Sequence, residues 1–383
     1  MELKTLFSPE KIGNVQIKNR IVRSATWMAR ASKDGHVTDD LIGIYDALAK
    51  GGSGLIIPGL TGVHPGGAAT RNMTRLYDDI YIPGQKKLVE AVHEYSDVKI
   101  ACQLAHTGAQ AYHPKIESIG PSVHLDPVTN RTARELTNKE IKELIQAFVD
   151  AGCRAYECGY DMVQLHMAHG YLLSDFVSPY ANKRSDEYGG DVLRRTKIAV
   201  DIYNQLRDKL GKNFPILAKL NTMEAVPGGL TLEEGKETAK ILVNNGFNAI
   251  EPSSGKVDFK FSKGKSYPMI MIKSVEDENY FLPNVKALKP IMEDSKMIMM
   301  GGIKNPLSAE KFLQEGIADF ISMSRPLIRE PDLPNRWESG DLSPAQCISC
   351  NGCMGAAFST KPVYCVAKKK LERKKQRELK KNQ

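Results

Sequence analysis

The sequence predicts a (β/α)8 barrel, an α/β fold of the TIM-barrel type, followed by a short cysteine-rich appendix. Eight short apolar runs alternate with amphipathic helical segments over about 300 residues, the strand count of such a barrel. Most of these runs are too apolar for strands with one exposed face, which indicates parallel strands covered on both sides. The first run lacks the glycine-rich phosphate loop of a doubly wound sheet, so the closed barrel is preferred.

The eight strands are predicted from runs of β-branched and other apolar residues, and amphipathic helices are predicted between them. Two of these helices begin with capping boxes, Thr137–Glu140 and Thr231–Glu234, each ahead of a periodic apolar stretch. The predicted strands are Ile21–Ala25, Leu55–Gly59, Lys99–Leu104, Met162–Ala168, Pro215–Leu220, Ala249–Ser254, Met297–Gly302 and Phe320–Arg325.

The composition and the first residues of the chain indicate which broad class of protein it belongs to. Of 383 residues, 42% are hydrophobic and 26% are charged, as in ordinary globular proteins. No apolar run reaches the ~18 residues of a membrane span, and the first ten residues lack a signal-peptide stretch. We therefore expect a cytoplasmic protein with a barrel over residues 1–340, a cysteine-rich segment over 341–366, and a flexible or helical tail over 367–383.

The net charge of +8 is concentrated at the end of the chain. Residues 368–383 contain nine Lys or Arg and two Glu, which leaves the rest of the chain near neutral. Such a distribution gives no support to a nucleic-acid groove on the barrel. The tail is interpreted either as a solvated extension or as a docking element for an acidic partner.

Polar residues gather where the predicted strands end, which is where barrel enzymes carry their chemistry. Glycines after the seventh strand and an arginine after the eighth suit a phosphate group, because bare backbone amides and a bidentate cation converge there. The candidates are Ser24, Thr26, Gln103, His106, His166, His169, Lys219, Glu251, Gly301, Gly302, Ser324 and Arg325.

One long motif, which runs from Gln164 through His166, His169 and Tyr171 to Gly190, is far more specific than the rest. It resembles the signature of the Old Yellow Enzyme family of FMN-dependent ene-reductases (NADH:flavin oxidoreductases). The resemblance covers roughly residues 5–366, and the cysteine segment is similar to that of the branch containing 2,4-dienoyl-CoA reductase and trimethylamine dehydrogenase. Shorter supporting pieces are Phe7–Pro9, Lys18–Ile21, Gln103–Gly108, Gly120–Ser122 and Gly301–Ile303.

The resemblance implies FMN as cofactor. Gln103 would bond the pyrimidine edge of the flavin, because an amide both donates and accepts. Lys219 would lie near the flavin N1–O2 region and stabilise the anionic reduced ring. The ring would be lined by Ser24, Ala25, Thr26 and Gly59, and the phosphate would be held by Gly301, Gly302, Ser324 and Arg325.

The resemblance also implies a substrate site. His166 and His169 would hold the substrate carbonyl oxygen and polarise the conjugated C=C bond. Tyr171 would donate the proton, and Trp27 would contact substrate at a position where many relatives have a Thr, Cys or His that tunes the flavin. The strand-eight motif, Ser324-Arg325, departs from the commoner Gly-Arg.

Four of the seven cysteines fall within nineteen residues: Cys347, Cys350, Cys353 and Cys365. Cytosolic thiols are rarely disulfides, so a metal centre is the preferred interpretation. Spacing alone fits zinc and an iron–sulfur cluster equally. The resemblance implies a [4Fe–4S] cluster, and zinc or vacant cysteines are the alternatives.

The expected function is reduction of an α,β-unsaturated carbonyl or enoyl substrate by hydride from reduced FMN. Eighteen residues follow Cys365, so we expect no FAD or nicotinamide domain on this chain. Electrons would come from NAD(P)H, or through the cluster from a carrier such as ferredoxin or flavodoxin. Two alternatives stay open: an amine- or alcohol-type dehydrogenase that exports electrons through the cluster, and a non-catalytic electron-transfer subunit. The expected ligand is a small molecule, and a homo-oligomer is compatible with the sequence.

Overall fold

The barrel predicted from the sequence is present in the computed structural model, which describes residues 2–68, 72–111, 113, 115–257, 269–358 and 361–381. Each strand pairs in parallel with its neighbours in the chain, and the last strand pairs with the first to close the ring. The barrel strands are β1 Ile21–Arg23, β2 Leu55–Ile56, β3 Lys99–Ala105, β4 Met162–Met167, β5 Ile216–Ala225, β6 Ala249–Val257, β7 Lys296–Met299 and β8 Phe320–Met323.

Helices cover the outside of the barrel and continue beyond the last strand. Both predicted capping boxes are present, Thr137 with Glu140 and Thr231 with Glu234, and each satisfies backbone amides at a helix start. The helices are α1 Asp39–Lys50, α2 Ile82–His93, α3 Asn138–Glu157, α4 Leu172–Val177, α5 Val192–Leu210, α6 Leu232–Asn244, α7 Leu282–Leu288, α8 Pro306–Gln314, α9 Arg325–Arg329, α10 Leu333–Glu338, α11 Gly352–Phe358 and α12 Val366–Lys381.

The amino-terminal end of the barrel is closed by a hairpin, Glu10–Ile12 with Val15–Ile17. Its Ile12 and Ile17 are fully buried against an apolar layer to which every barrel strand contributes, including Val22 from β1 and Phe320 from β8. This end is therefore a packed core. The opposite end, where the strands finish, is left for the polar residues.

Short extra strands lie in the loops around the barrel. Thr61–Gly62 pairs with β3 and with Thr74–Arg75. Between β3 and α3, Thr132–Glu135 pairs with Ile119–Gly120 and His124–Leu125.

Several strands end before or after the predicted positions. β1 ends at Arg23 and β8 at Met323, two residues before Arg325 begins α9. β5 and β6 are longer than predicted. The basic tail forms α12, an exposed helix, and in the described ranges no helix is both long and apolar enough to cross a bilayer.

Candidate active site

A cavity of 350 Å³ opens at the carboxyl ends of the barrel strands. Its size falls within the range of small-molecule sites, and it combines apolar walls with a few convergent polar groups. Most residues predicted to bind cofactor or substrate line it: Ser24, Ala25, Thr26, Trp27, Gln103, His166, His169, Tyr171, Lys219, Gly301, Gly302, Ser324 and Arg325.

A layer of buried polar side chains forms the base of this cavity. Gln103 Nε2 donates to Gln164 Oε1 at 2.8 Å, and Gln164 Nε2 donates to Glu251 Oε2 at 3.0 Å. The hydroxyls of Ser24 and Ser322 donate to Glu251 Oε1 at 2.7 and 2.8 Å. The barrel register sets Gln164 directly beside Gln103, so this layer follows from the strand pairing.

The Lys219 ammonium lies in the same layer, 3.3 Å from Glu251 Oε2, and donates to Ser24 Oγ at 2.8 Å. Burial of the Glu251 carboxyl acts to raise its pKa, but the Lys219 charge and the hydrogen bonds that the carboxyl accepts outweigh burial and lower that pKa. The Glu251 carboxyl therefore stays ionised at neutral pH, and it holds the Lys219 side chain at a fixed position beside the cavity.

A tight turn after β4 presents the two histidines and the tyrosine together. His169 and Gly170 both have left-handed backbones, with φ of +69° and +77°. The ring of His166 lies 5.0 Å from that of His169 and 4.9 Å from that of Tyr171, measured between centroids. The three rings thus face one part of the cavity.

Both histidines are neutral at physiological pH. Burial lowers the pKa of His166 well below its ordinary value, and the neighbouring His169 and Lys219 lower it further. Burial and the Lys219 charge lower the pKa of His169 to about 3. His166 Nδ1 accepts the Ala168 amide at 3.3 Å, so its proton resides on Nε2. His169 Nε2 pairs with Ser253 Oγ at 2.8 Å.

The ends of β7 and β8 form the opposite part of the cavity. Gly301 and Gly302 have φ of +113° and +83°, which other residues rarely adopt. Ser324 Oγ lies 2.8 Å from Thr26 Oγ1. Arg325 donates to Asn351 Oδ1 at 2.6 Å, so its guanidinium connects the cavity wall to the cysteine-rich segment.

Trp27 forms a side wall of the cavity and donates from Nε1 to the Asn72 carbonyl at 3.2 Å. Gly59 lies behind this wall. A Cβ at Gly59 would meet Trp27 Cα at 2.8 Å, so the close approach of the two backbones requires glycine there. The structure therefore gives Gly59 a packing contact with Trp27.

The four clustered cysteines, Cys347, Cys350, Cys353 and Cys365, line one small pocket. Arg325 and Ser349 line both that pocket and the main cavity. In the described ranges no group of three or more His, Cys, Asp or Glu side chains is arranged to hold a metal ion. Burial raises the pKa of the Cys347 thiol, a shift that Arg325 opposes.

Sequence reasoning did not predict the buried polar layer. Glu251 was named among the candidates without a role, and the structure pairs it with Lys219 beneath the cavity. Gln164 and Ser322 belong to the same layer. The sequence did contain a signal for this pair. Glu251 lies in an apolar strand, and Lys219 lies between apolar residues in the strand before it. His106 is buried, and burial lowers its pKa to about 3.

Comparisons with known proteins agree with this architecture. The profile of the NADH:flavin oxidoreductase / NADH oxidase family matches residues 5–342. The chain is 38% identical over 357 residues to the NADH oxidase of Thermoanaerobacter brockii, which covers 91% of this chain and 53% of that protein. It is 30% identical over 406 residues to the cinnamate reductase of Clostridium sporogenes, which covers 99% of this chain and 60% of that protein.

Among solved structures, 2-naphthoyl-CoA reductase superposes with a TM-score of 0.87 at 28% identity, covering 95% of this chain and 56% of that one. The chain spans about half the length of these relatives. With the barrel, the cavity and the family profile in agreement, the chain belongs to the NADH:flavin oxidoreductase / NADH oxidase family, the FMN-dependent oxidoreductases that resemble Old Yellow Enzyme.

Proposed function

We propose that this chain is the FMN-dependent catalytic barrel of an ene-reductase that reduces the activated C=C bond of an α,β-unsaturated carbonyl or enoyl substrate. The convergence of His166, His169 and Tyr171 on one part of the cavity carries this proposal. Two relatives, the cinnamate and 2-naphthoyl-CoA reductases, are named for reduction of an unsaturated acid derivative, which supports the substrate class.

The donors around the cavity suit FMN. Bound FMN would supply a hydride from N5 of its reduced ring. Lys219, whose charge is held beside the cavity by Glu251, would offset negative charge at the pyrimidine edge, and Gln103 would bond that edge. The main chain around Ser24, Ala25 and Thr26 would line the ring. Across the cavity, the phosphate would be held by Gly301, Gly302, Ser324 and Arg325.

The histidine pair would bind the substrate carbonyl oxygen. His166 carries its proton on Nε2, because Nδ1 already accepts the Ala168 amide. His169 can donate from Nδ1 when Nε2 accepts the Ser253 hydroxyl. Two neutral donors stabilise the negative charge that develops on the oxygen as the β-carbon is reduced, and neither must lose its proton.

Tyr171 would deliver the proton to the α-carbon. A phenol with an ordinary pKa of ~10 remains protonated at pH 7 and is acidic enough to protonate an adjacent enolate. Its ring packs 4.9 Å from His166 and 6.5 Å from His169, so proton donor and carbonyl binders share one wall.

Anaerobic single-turnover experiments test this proposal. The flavin is reduced, mixed with cinnamaldehyde or 2-cyclohexenone, and monitored by absorbance. We expect reoxidation with one saturated product per flavin, and a roughly 10²–10⁴-fold slower step in Tyr171→Phe with unchanged flavin reduction by NAD(P)H. A saturated ketone is the control and should leave the flavin reduced. Failure of every conjugated carbonyl to reoxidise flavin-replete protein contradicts the proposal.

We further propose that Cys347, Cys350, Cys353 and Cys365 hold a [4Fe–4S] cluster. Their thiols line one pocket without converging on a single point. Zinc requires four ligands about 2.3 Å from one ion, whereas an iron–sulfur cluster occupies volume between its ligands. Cys365 Sγ accepts the Lys368 amide at 3.4 Å, and hydrogen bonds to the ligand sulfurs are among the factors that set the reduction potential of an iron–sulfur cluster.

Electrons would enter from NAD(P)H or from an acidic carrier such as ferredoxin or flavodoxin docked on α12. This helix follows Cys365 directly and belongs to the tail of net charge +7. A variant lacking residues 368–383 should lose carrier-driven turnover and its salt dependence while it retains NAD(P)H-driven turnover. Unchanged carrier-driven turnover in that variant would exclude α12 as the docking element.

A further inference from the structure

The turn that carries His169 and Tyr171 is conformationally demanding. Its two consecutive left-handed residues, His169 and Gly170, reverse the chain between β4 and α4. L-residues rarely adopt this conformation, so surrounding contacts must hold it. Tyr171 immediately precedes α4, and any shift of α4 would therefore move the phenol.

One side of the turn is held by Gln110. Its Nε2 donates to the His169 carbonyl at 2.8 Å and to Asp126 Oδ2 at 3.3 Å. A Cβ at Gly170 would lie 2.5 Å from the same nitrogen, so the amide presses directly on the turn.

The other side is held by the end of β6. A Cβ at Gly255 would lie 2.2 Å from His169 Cα, so the β6 backbone touches the turn. The next residue, Lys256, is 1% exposed and lines the catalytic cavity. Its Nζ lies 2.6 Å from Asp175 Oδ1 on α4, and both side chains are fully buried.

Of the three carboxylates near Lys256, Asp175 is the one that pairs with it directly, because Asp126 and Glu224 accept hydrogen bonds from other groups. Asp126 accepts the Val128 and Thr129 amides, and Glu224 accepts the Ser178 hydroxyl at 2.5 Å. Asp175 instead faces Lys256 and, at 3.3 Å, His124 Nε2. Burial acts to lower the pKa of Lys256, but Asp175, Glu224 and Asp126 outweigh it and raise that pKa, so the lysine stays charged.

We propose that Lys256 is a positioning residue for the reaction: its buried ion pair with Asp175 fastens the end of β6 to α4 and fixes the turn that presents His169 and Tyr171. Its catalytic consequence rests on the ene-reductase function proposed above. In this role the lysine acts through the turn, because its ammonium is paired with Asp175.

Two measurements on Lys256→Met test this role. Hydrogen exchange followed by mass spectrometry should show at least tenfold faster exchange in residues 168–177 and unchanged exchange in β1 and β8. In stopped-flow experiments, substrate reduction should slow at least tenfold, with a smaller change in flavin reduction and unchanged FMN content. Global destabilisation would instead affect both half-reactions and every peptide.

Lys289→Met is the control for loss of a lysine–aspartate pair away from the turn, at a site whose side chains are 28% and 19% exposed. Lys289 also lies 2.6 Å from an aspartate, Asp319, but this pair is at the amino-terminal end of β8. The Lys289→Met variant should leave hydrogen exchange in residues 168–177 unchanged. The double variant Lys256→Met/Asp175→Asn removes both buried charges, and we expect its turn to remain unprotected because the connection is absent.

Two results would overturn the proposal: wild-type protection of residues 168–177 in Lys256→Met, or full restoration of protection in the double variant, which would assign the effect to an uncompensated charge. Hydrogen exchange does not depend on turnover. If the wild-type protein reduces no alkene, the proposed function is wrong, but the exchange result still tests whether the Lys256–Asp175 pair holds the turn.

Discussion

Replacing Glu251 by glutamine removes the counter-charge of Lys219 with almost no change in shape. The carboxylate accepts two serine hydroxyls at Oε1 and the Gln164 amide at Oε2, and Oε2 lies 3.3 Å from the lysine ammonium. If the amide nitrogen of the new glutamine took the Oε2 position, it would face two other donors, the Gln164 amide and the Lys219 ammonium. If it took the Oε1 position, it would face two serine hydroxyls, and the Ser24 hydroxyl already accepts a hydrogen bond from Lys219. Either orientation loses hydrogen bonds and leaves a buried ammonium unpaired.

The expected loss is about 3–5 kcal/mol, the usual cost of breaking a buried ion pair from one side. Against a total stability of about 5–15 kcal/mol this is a large fraction. Urea unfolding of FMN-free protein, followed by far-UV circular dichroism and by the fluorescence of Trp27 and Trp337, measures it. The matched variant Lys219→Met/Glu251→Gln removes both charges and should recover most of the loss.

The pH dependence gives a second test. The pKa of Glu251 is lowered in the folded chain, so its stabilising contribution is complete above the unfolded pKa of ~4.3 and is lost as pH falls through the folded pKa. The stabilities of wild type and Glu251→Gln should therefore converge in acid. A loss below about 1 kcal/mol at pH 7, or a constant difference down to low pH, would refute the buried-pair argument.

Four further outcomes are expected. Because the pKa values of His166 and His169 are lowered, the unfolded chain binds protons below pH ~6.5 that the folded chain does not bind, so the free energy of unfolding should fall from pH ~6.5 toward pH 3. For the same reason, the pH profile of kcat/KM should show no inflection from these histidines near pH ~6.5. Trp27→Ala should raise kcat/KM for a phenyl-substituted enone relative to cyclohexenone roughly tenfold, in steady-state assays. Cys353→Ser should lose iron and sulfide while FMN content, measured on the same sample, is kept. Arg184→Ala should lose about 2–3 kcal/mol in urea unfolding with normal turnover, because its 6%-exposed side chain binds a carboxylate and two backbone carbonyls away from the cavity.

Local sequence was enough to predict the framework of the molecule. Each barrel strand is an apolar run that burial on both faces requires, and each capping box satisfies amides within four residues of chain. His166, His169 and Tyr171 lie within six residues, so a strand followed by a turn brings them together in almost any version of the barrel. The same holds for the neighbouring residues Ser324 and Arg325.

Only the tertiary structure decided how the buried charges are paired. Ser24 bonds Glu251 across 227 residues of sequence, and this contact exists because closure of the barrel aims both side chains into one layer. The pairing of Lys219 with Glu251 and of Lys256 with Asp175 likewise depends on strand register and on where α4 packs. Apolar periodicity selects a strand or helix one segment at a time, whereas the partner of a buried charge is chosen by the whole fold, because low dielectric makes an unpaired charge too costly to bury.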